Sequence, residues 1–156
     1  MKGERYIMKA KAENEMTLRF PSRSSNEGFA RTAVACFAAQ MDPTLNELED
    51  IKTAVSEAVT NAIVHGYPDR IGDVQVKVKV LPDHVLELTV RDQGRGISDV
   101  DKAREPLFTT GGEDRSGMGF TIMESFMDRL TVRSVPGRGT VVSMRKKLAP
   151  RLRKQL

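Results

Sequence analysis

Val74-Gln75-Val76-Lys77-Val78-Lys79-Val80 alternates apolar and polar side chains without a break, and it restricts the possible folds more than any other stretch. Successive side chains of a strand point to opposite faces, so the run predicts a strand with one covered and one wet face. Pro82-Asp83-His84 then predicts a hairpin turn into a second strand, Val85-Leu86-Glu87-Leu88-Thr89-Val90-Arg91-Asp92. Strands joined this way need apolar cover on one side only. Asp92 must stand at the C-terminal end of the second strand.

The other segments supply that cover. Glu15 to Phe20 alternates as a strand and is stopped by Pro21. After the polar loop Ser22 to Asn26, a helix is expected from Glu27 to Met41. Asp42 and Pro43 read as N-cap and first-turn proline of a longer helix that runs to about His65, with Gly66 at the C′ position. Pro106 to Arg115, with two threonines and Gly111-Gly112, reads as a flexible lid. A third main helix is expected from Gly117 to Met127, then a strand from Leu130 to Val135, a turn over Pro136-Gly137-Arg138-Gly139, and a strand from Thr140 to Met144. The order β-α-α-β-β, lid, α-β-β describes an α/β (α+β) sandwich, with a mixed, largely antiparallel sheet covered on one face by helices. It is not the alternating βαβ of a dinucleotide fold. The 156 residues suffice for one domain with a core and are too few for two of ordinary size. The expected division is a frayed extension over 1–13, one domain over 14–147 and a basic tail over 148–156.

The net charge of +4 raises the question of nucleic acid. Arg145, Lys146, Lys147, Arg151, Arg153 and Lys154 supply six cations after residue 144, and without them 19 cations face 21 anions. Such a tail reads as a solvated end, and a chain with 5% aromatics and no tryptophan has little to stack on bases. No direct nucleic-acid partner is therefore expected. No apolar run approaches the roughly 18 to 20 residues that span a bilayer, and Met1 to Tyr6 is not a signal peptide, so the expectation is no membrane and a cytoplasmic location. The single cysteine, Cys36, lies in Ala33-Val34-Ala35-Cys36-Phe37-Ala38 and is expected as a small buried hydrophobe.

Three motifs carry chemistry. Glu57 and Asn61, four residues apart on the long helix, share a face, where Glu57 could accept a proton and Asn61 offer Mg²⁺ a neutral oxygen. Flanked by Val55, Val59, Ala62 and Ile63, the pair needs a partner or ligand unless it is merely exposed. Asp92-Gln93-Gly94-Arg95-Gly96 places a carboxylate at a strand end, able to accept an adenine amino hydrogen, before glycines that let backbone approach a flat ring. By itself it fits an ordinary strand exit equally well. Arg115-Ser116-Gly117-Met118-Gly119-Phe120 opens a helix whose free N–H groups favour phosphate, with Arg115 as a bidentate donor. It lacks the lysine and spacing of a P-loop.

Taken in order, Glu57-Ala58-Val59-Thr60-Asn61-Ala62-Ile63-Val64-His65-Gly66-Tyr67, Val90 to Ile97, Pro106-Leu107-Phe108-Thr109-Thr110 and Arg115 to Met123 resemble the N box, first glycine box, lid and second glycine box of the GHKL ATPase and kinase superfamily. Within it they are similar to the anti-sigma serine kinases of spore-forming bacteria. The resemblance covers roughly Asn14 to Met144. It implies the GHKL histidine-kinase-like ATPase fold, with ATP and Mg²⁺ as cofactors. It further implies that Glu57 is the catalytic base, that Asn61 binds Mg²⁺ and that Asp92 recognises adenine. Gly94, Gly96, Gly117, Met118 and Gly119 would shape the nucleotide pocket, Arg115 would meet the γ-phosphate, and Thr140 would support adenine through water. The implied partners are a sporulation sigma factor, an anti-anti-sigma protein phosphorylated on serine, and a second copy of the chain, with Arg31 on the partner-binding surface. Gly111-Gly112-Glu113-Asp114 departs from the longer lid such relatives lead one to expect. His65, near a helix end and without a separate phosphoacceptor helix, is not read as a phosphoacceptor. Two rivals are a stress-response kinase of the same superfamily and a protein that holds a sigma factor with ATP but without turnover.

Overall fold

The computed structural model describes residues 11–106 and 118–150. Strands β1 (Asn14–Pro21), β2 (Asp73–Leu81), β3 (Val85–Asp92), β4 (Arg129–Val135) and β5 (Gly139–Lys147) form one sheet in the order β1-β2-β3-β5-β4. Every pairing is antiparallel, so the sheet is not mixed among the described residues. Helices α1 (Ser25–Ala38), α2 (Leu45–Asn61) and α4 (Gly119–Phe126) cover one face, and a short helix α3 (Val100–Ala103) follows β3.

The alternation in β2 sets the register. Val74, Val76, Val78 and Val80 are buried, whereas Gln75, Lys77 and Lys79 point to the uncovered face. A slip by one residue would exchange the two faces, at roughly 1.5 kcal/mol or more for each valine moved into water. The β2–β3 turn places Asp83 and His84 at φ 66° and 58°, a left-handed conformation that Asp and His adopt more readily than most residues.

Four further expectations about the elements are corrected. Asp42 does not cap α2; it sits in the left-handed region at φ 52°, and Thr44 is the N-cap. The Thr44 hydroxyl accepts the Glu47 N–H at 3.1 Å while the Glu47 carboxylate accepts the Thr44 N–H at 2.9 Å. This reciprocal box satisfies two helix-end donors, which a proline signal two residues earlier does not. The first helix does not continue to Met41 in α geometry; its end tightens into a 3₁₀ turn over Ala39–Met41. Cys36 is exposed. Helix α1 buries Ala30, Val34 and Ala38, spaced by four, so a residue two positions beyond Val34 faces away.

The fourth correction concerns the basic end. Of the six cations read together as a solvated end, Arg145, Lys146 and Lys147 lie in β5, inside the domain expected over 14–147: Arg145 pairs with Glu87 at 2.8 Å, and Lys146 donates to the Phe126 carbonyl at 2.7 Å beside Asp50. Leu148 beyond them is buried, its N–H bonded to the His84 carbonyl at 2.8 Å. Residues 1–10 and 151–156, with most of the expected N-terminal extension and the end of the tail, lie outside the described residues. Among the described residues, no helix is long and apolar enough to cross a membrane.

Candidate functional site

Helix α2 does not stop at Asn61. Its last stretch, Ala62–Gly66, widens into a π-helical turn that carries His65 and Gly66. Such turns are frequent at functional positions. Gly66 is not a left-handed C′ residue as expected; its requirement is close approach, because a Cβ there would lie 2.8 Å from the Asp92 carboxyl carbon. A Cβ on Gly94 would fall 1.9 Å from the Gly66 carbonyl oxygen. The end of the π turn and the exit of β3 are thus pressed together with no room for side chains.

Asp92, the last residue of β3, is only 7% exposed. Its Oδ1 accepts the Gly94 N–H at 3.0 Å. Burial pushes its carboxyl above the ordinary value, and the backbone amides of Gly94 and Thr140 oppose that rise. Thr140 is registered opposite Asp92, is also buried, and lies 2.8 Å from the Ser134 hydroxyl. Ser134 in turn accepts the Ile97 N–H at 2.7 Å, tying the segment after Gly96 to β4. Gly96 takes φ 74°, and Gly139 takes φ 119° with its Cα against the Asp92 carbonyl. The result is a buried acceptor walled by backbone, which suits a flat heterocycle bearing an amino group.

At a second point α2 meets the start of α4. A Cβ on Gly119 would lie 3.2 Å from both side-chain amide atoms of Asn61 and 3.3 Å from Glu57 Oε2. The expected pair therefore converges on the first residue of α4, next to Met118 at its N-cap. Burial raises the Glu57 carboxyl above its ordinary value, and the Glu27 carboxylate on α1 adds to the rise. Glu27 Oε1 is buried without a hydrogen bond, 3.6 Å from the Arg31 guanidinium, which also reaches the Ser56 hydroxyl at 3.4 Å. Among the described residues no three His, Cys, Asp or Glu side chains cluster for a metal. An ion held by Asn61 would take its remaining ligands from phosphate oxygens and water, the usual habit of Mg²⁺. Arg115, Gly117 and the lid from Leu107 onward lie outside the described residues.

Sequence reasoning placed Glu57, Asn61, Asp92, Gly94, Gly96, Gly119 and Thr140 at these two points. It missed the tertiary role of Gly66, and it missed Tyr67, Ser134 and Glu27. For Ser134 nothing in the local pattern distinguishes it from any inward strand residue.

Fold and site together define a histidine kinase-like ATPase domain, and the family model of that description matches residues 20–146. The chain is 57% identical over 134 residues to the anti-sigma F factor of Caldanaerobacter subterraneus subsp. tengcongensis, covering 85% of this chain and 93% of that protein. It is 55% identical over 139 residues to the anti-sigma F factor of Bacillus subtilis, covering 88% and 94%. The chain belongs to the histidine kinase-like ATPase family, in the branch of the anti-sigma F factors. Among solved structures, the RsbU and RsbW domains of a Mycobacterium tuberculosis protein superpose with a TM-score of 0.67 at 18% identity, over 90% of this chain and 34% of that one, a likeness of fold. The histidine kinase domain of the Erythrobacter litoralis blue-light activated histidine kinase superposes with a TM-score of 0.55 at 26% identity, over 78% and 61%.

Proposed function

We propose that this chain is an anti-sigma factor and protein-serine kinase. It binds Mg·ATP, transfers the γ-phosphate to a serine of an anti-anti-sigma protein, and holds a sporulation sigma factor of the sigma F type as a homodimer in the cytoplasm. The observation that carries the reading is the convergence of Glu57 and Asn61 on Gly119, separate from the buried acceptor Asp92.

In this reading Asp92 accepts the exocyclic amino hydrogen of adenine, and the close-packed backbone of Gly66, Gly94 and Gly139 holds that carboxylate in place. The start of α4 at Met118 and Gly119 faces the phosphates, and Gly117 and Arg115 are assigned to the same end, Arg115 as donor to the terminal phosphate. Mg²⁺, held by Asn61, neutralises charge on the phosphate oxygens when it is bound. The substrate serine oxygen bonds to the γ-phosphorus as the bond to the bridging oxygen breaks, ADP leaves with that electron pair, and the hydroxyl proton passes to Glu57. A carboxyl whose proton affinity is raised by burial is better matched to that task than an exposed one. Arg31, at the outer surface of α1 and α2, contacts the partner proteins.

The test uses the purified chain with γ-labelled ATP, Mg²⁺ and the products of neighbouring genes. One neighbour should gain phosphate on serine, and another should co-purify only with nucleotide present. Co-purification with no labelled neighbour would leave an ATP-dependent holder of a sigma factor and remove the kinase.

A further inference from the structure

The exits of α2 and β3 are joined by more than glycine contact. Tyr67, the residue after the π turn, is buried, and its hydroxyl accepts the Gln93 N–H at 2.6 Å and donates to the Asp73 carbonyl at 2.6 Å. Two neighbours lie close to its ring. Gly72 lies so close that a Cβ there would be 2.1 Å from a ring carbon, and the Arg70 guanidinium sits 5.2 Å from the ring centroid. The same Arg70 donates to the Gln93 carbonyl at 3.3 Å. Both backbone polar groups of Gln93 are therefore gripped from the segment that leaves α2. Two residues on, the Arg95 N–H donates to the Gly66 carbonyl at 2.9 Å, and the Arg95 carbonyl accepts the Gly137 N–H at 2.7 Å.

Gly94 lies between these ties, and its N–H is the donor that orients Asp92 Oδ1. The direction of the carboxylate is thus set by the placement of the Gly94 peptide, which is set in turn by Gln93 and Arg95. Packing alone would be served equally by a phenylalanine. The hydroxyl adds a fixed link to the residue immediately after the acceptor. We propose that Tyr67 is a positioning residue for base selection: by bonding the Gln93 amide to the Asp73 carbonyl, it fixes the direction in which Asp92 offers its carboxylate to the base. The inference rests on Asp92 as the base acceptor, as argued above. It assigns the discrimination to a residue outside the nucleotide's immediate contacts.

Tyr67→Phe keeps the ring against Gly72 and Arg70 and removes both hydrogen bonds. Affinities for ATP and for ITP, whose 6-oxo group cannot donate to a carboxylate, are measured by competition well below the melting temperature. ATP affinity in Tyr67→Phe should fall about tenfold, the effect of misdirecting one hydrogen bond to a charged acceptor. ITP affinity should change by less than about twofold, because the phosphate end is untouched. A lower melting temperature with the wild-type ATP-to-ITP ratio would assign the hydroxyl to stability alone and overturn the proposal. Asp92→Asn is measured alongside. If it loses the preference while a folded Tyr67→Phe keeps it, only the Tyr67 inference fails; if Asp92→Asn keeps it, the base reading itself fails and the inference with it. Should Tyr67→Phe not fold, amide exchange in the unaltered protein decides. The Gln93 N–H should exchange as slowly as the amides of β3, and exchange at the rate of an exposed loop would refute the link.

Discussion

Gly119→Ala separates stability from chemistry at the convergence of α2 and α4. The added methyl would lie 3.2 Å from the Asn61 amide atoms and 3.3 Å from Glu57 Oε2, against about 3.5 Å or more for an unstrained contact. Both side chains must give way by about 0.3 Å. The atoms that yield are the ends of flexible, half-buried side chains and not backbone, so the clash falls well short of the 1 to 3 kcal/mol typical of overpacking a closed core. Alanine also favours a helix over glycine by up to about 1 kcal/mol. Net stability should therefore change by less than about 1 kcal/mol, about 3 °C in melting temperature. Catalysis is less tolerant, because productive geometry holds within about 0.5 Å and a misplacement of 1 Å can cost about a hundredfold. A fall of about tenfold in phosphoryl transfer is expected. The assay is transfer from γ-labelled ATP in a double-mutant cycle with Glu57→Ala. If Gly119→Ala acts by displacing the base, it should add little to the loss already caused by Glu57→Ala. Fully additive losses, or a wild-type rate in Gly119→Ala alone, would refute the reasoning.

Glu57→Ala should leave ATP binding largely intact while cutting transfer by about 10² to 10⁴, the range of a general base; lost nucleotide binding on titration would count against the role. Asp92→Asn should weaken ATP binding and yet raise the melting temperature of the nucleotide-free protein near neutral pH. The folded carboxyl is raised by burial, so its contribution to stability is present below the unfolded pKa and lost as pH rises through the folded one; melting curves in acid should converge with the unaltered protein. Glu47 behaves oppositely: burial raises its carboxyl, but hydrogen bonds from Thr44 and Ala149, with the Lys146 charge, bring it below the ordinary value. Glu47→Ala should cost about 1 kcal/mol at neutral pH through the lost capping box. A denaturant series should show the difference shrinking as pH falls through the folded pKa, since the stabilisation of a depressed carboxyl exists only above it.

What the sequence disclosed, and what it hid, follows from the range of each interaction. The β2–β3 hairpin was legible because period-two alternation is a local property, and the observed β3 coincides with the expected strand while β2 gains one residue at each end. The start of α2 was misread although Thr44-x-x-Glu47 stood in the chain, because Asp42-Pro43 gave a competing signal two residues earlier. Cys36 was misplaced by reading composition where phase decides, since Ala30, Val34 and Ala38 already define the buried stripe. Arg145 and Lys146 grouped with the solvated cations that follow them because their acidic partners, Glu87 and Asp50, are far away in sequence. Glu57, Asn61 and Asp92 could be picked out by chemistry and order. Tyr67 and Ser134 could not, because their bonds join strands and loops more than a local window apart.

The two ends of the site differ in how much the chain completes by itself. Around Asp92, regular hydrogen bonding runs out at the end of β3 and at the π turn, yet the Gln93, Gly94 and Arg95 amides are all bonded within the protein. In the proposed reading this is the base end, and with these amides already bonded little ordering cost remains there. At the other end the Glu27 carboxylate, 3.6 Å from the Arg31 guanidinium, adds to the rise that burial causes in the Glu57 carboxyl. Acidic side chains at this end oppose the approach of a triphosphate. Binding of the adenosine moiety and binding of the phosphates should therefore respond differently to divalent cations: the first is carried by groups already in place, while the second depends on positive charge brought to Asn61 and the start of α4.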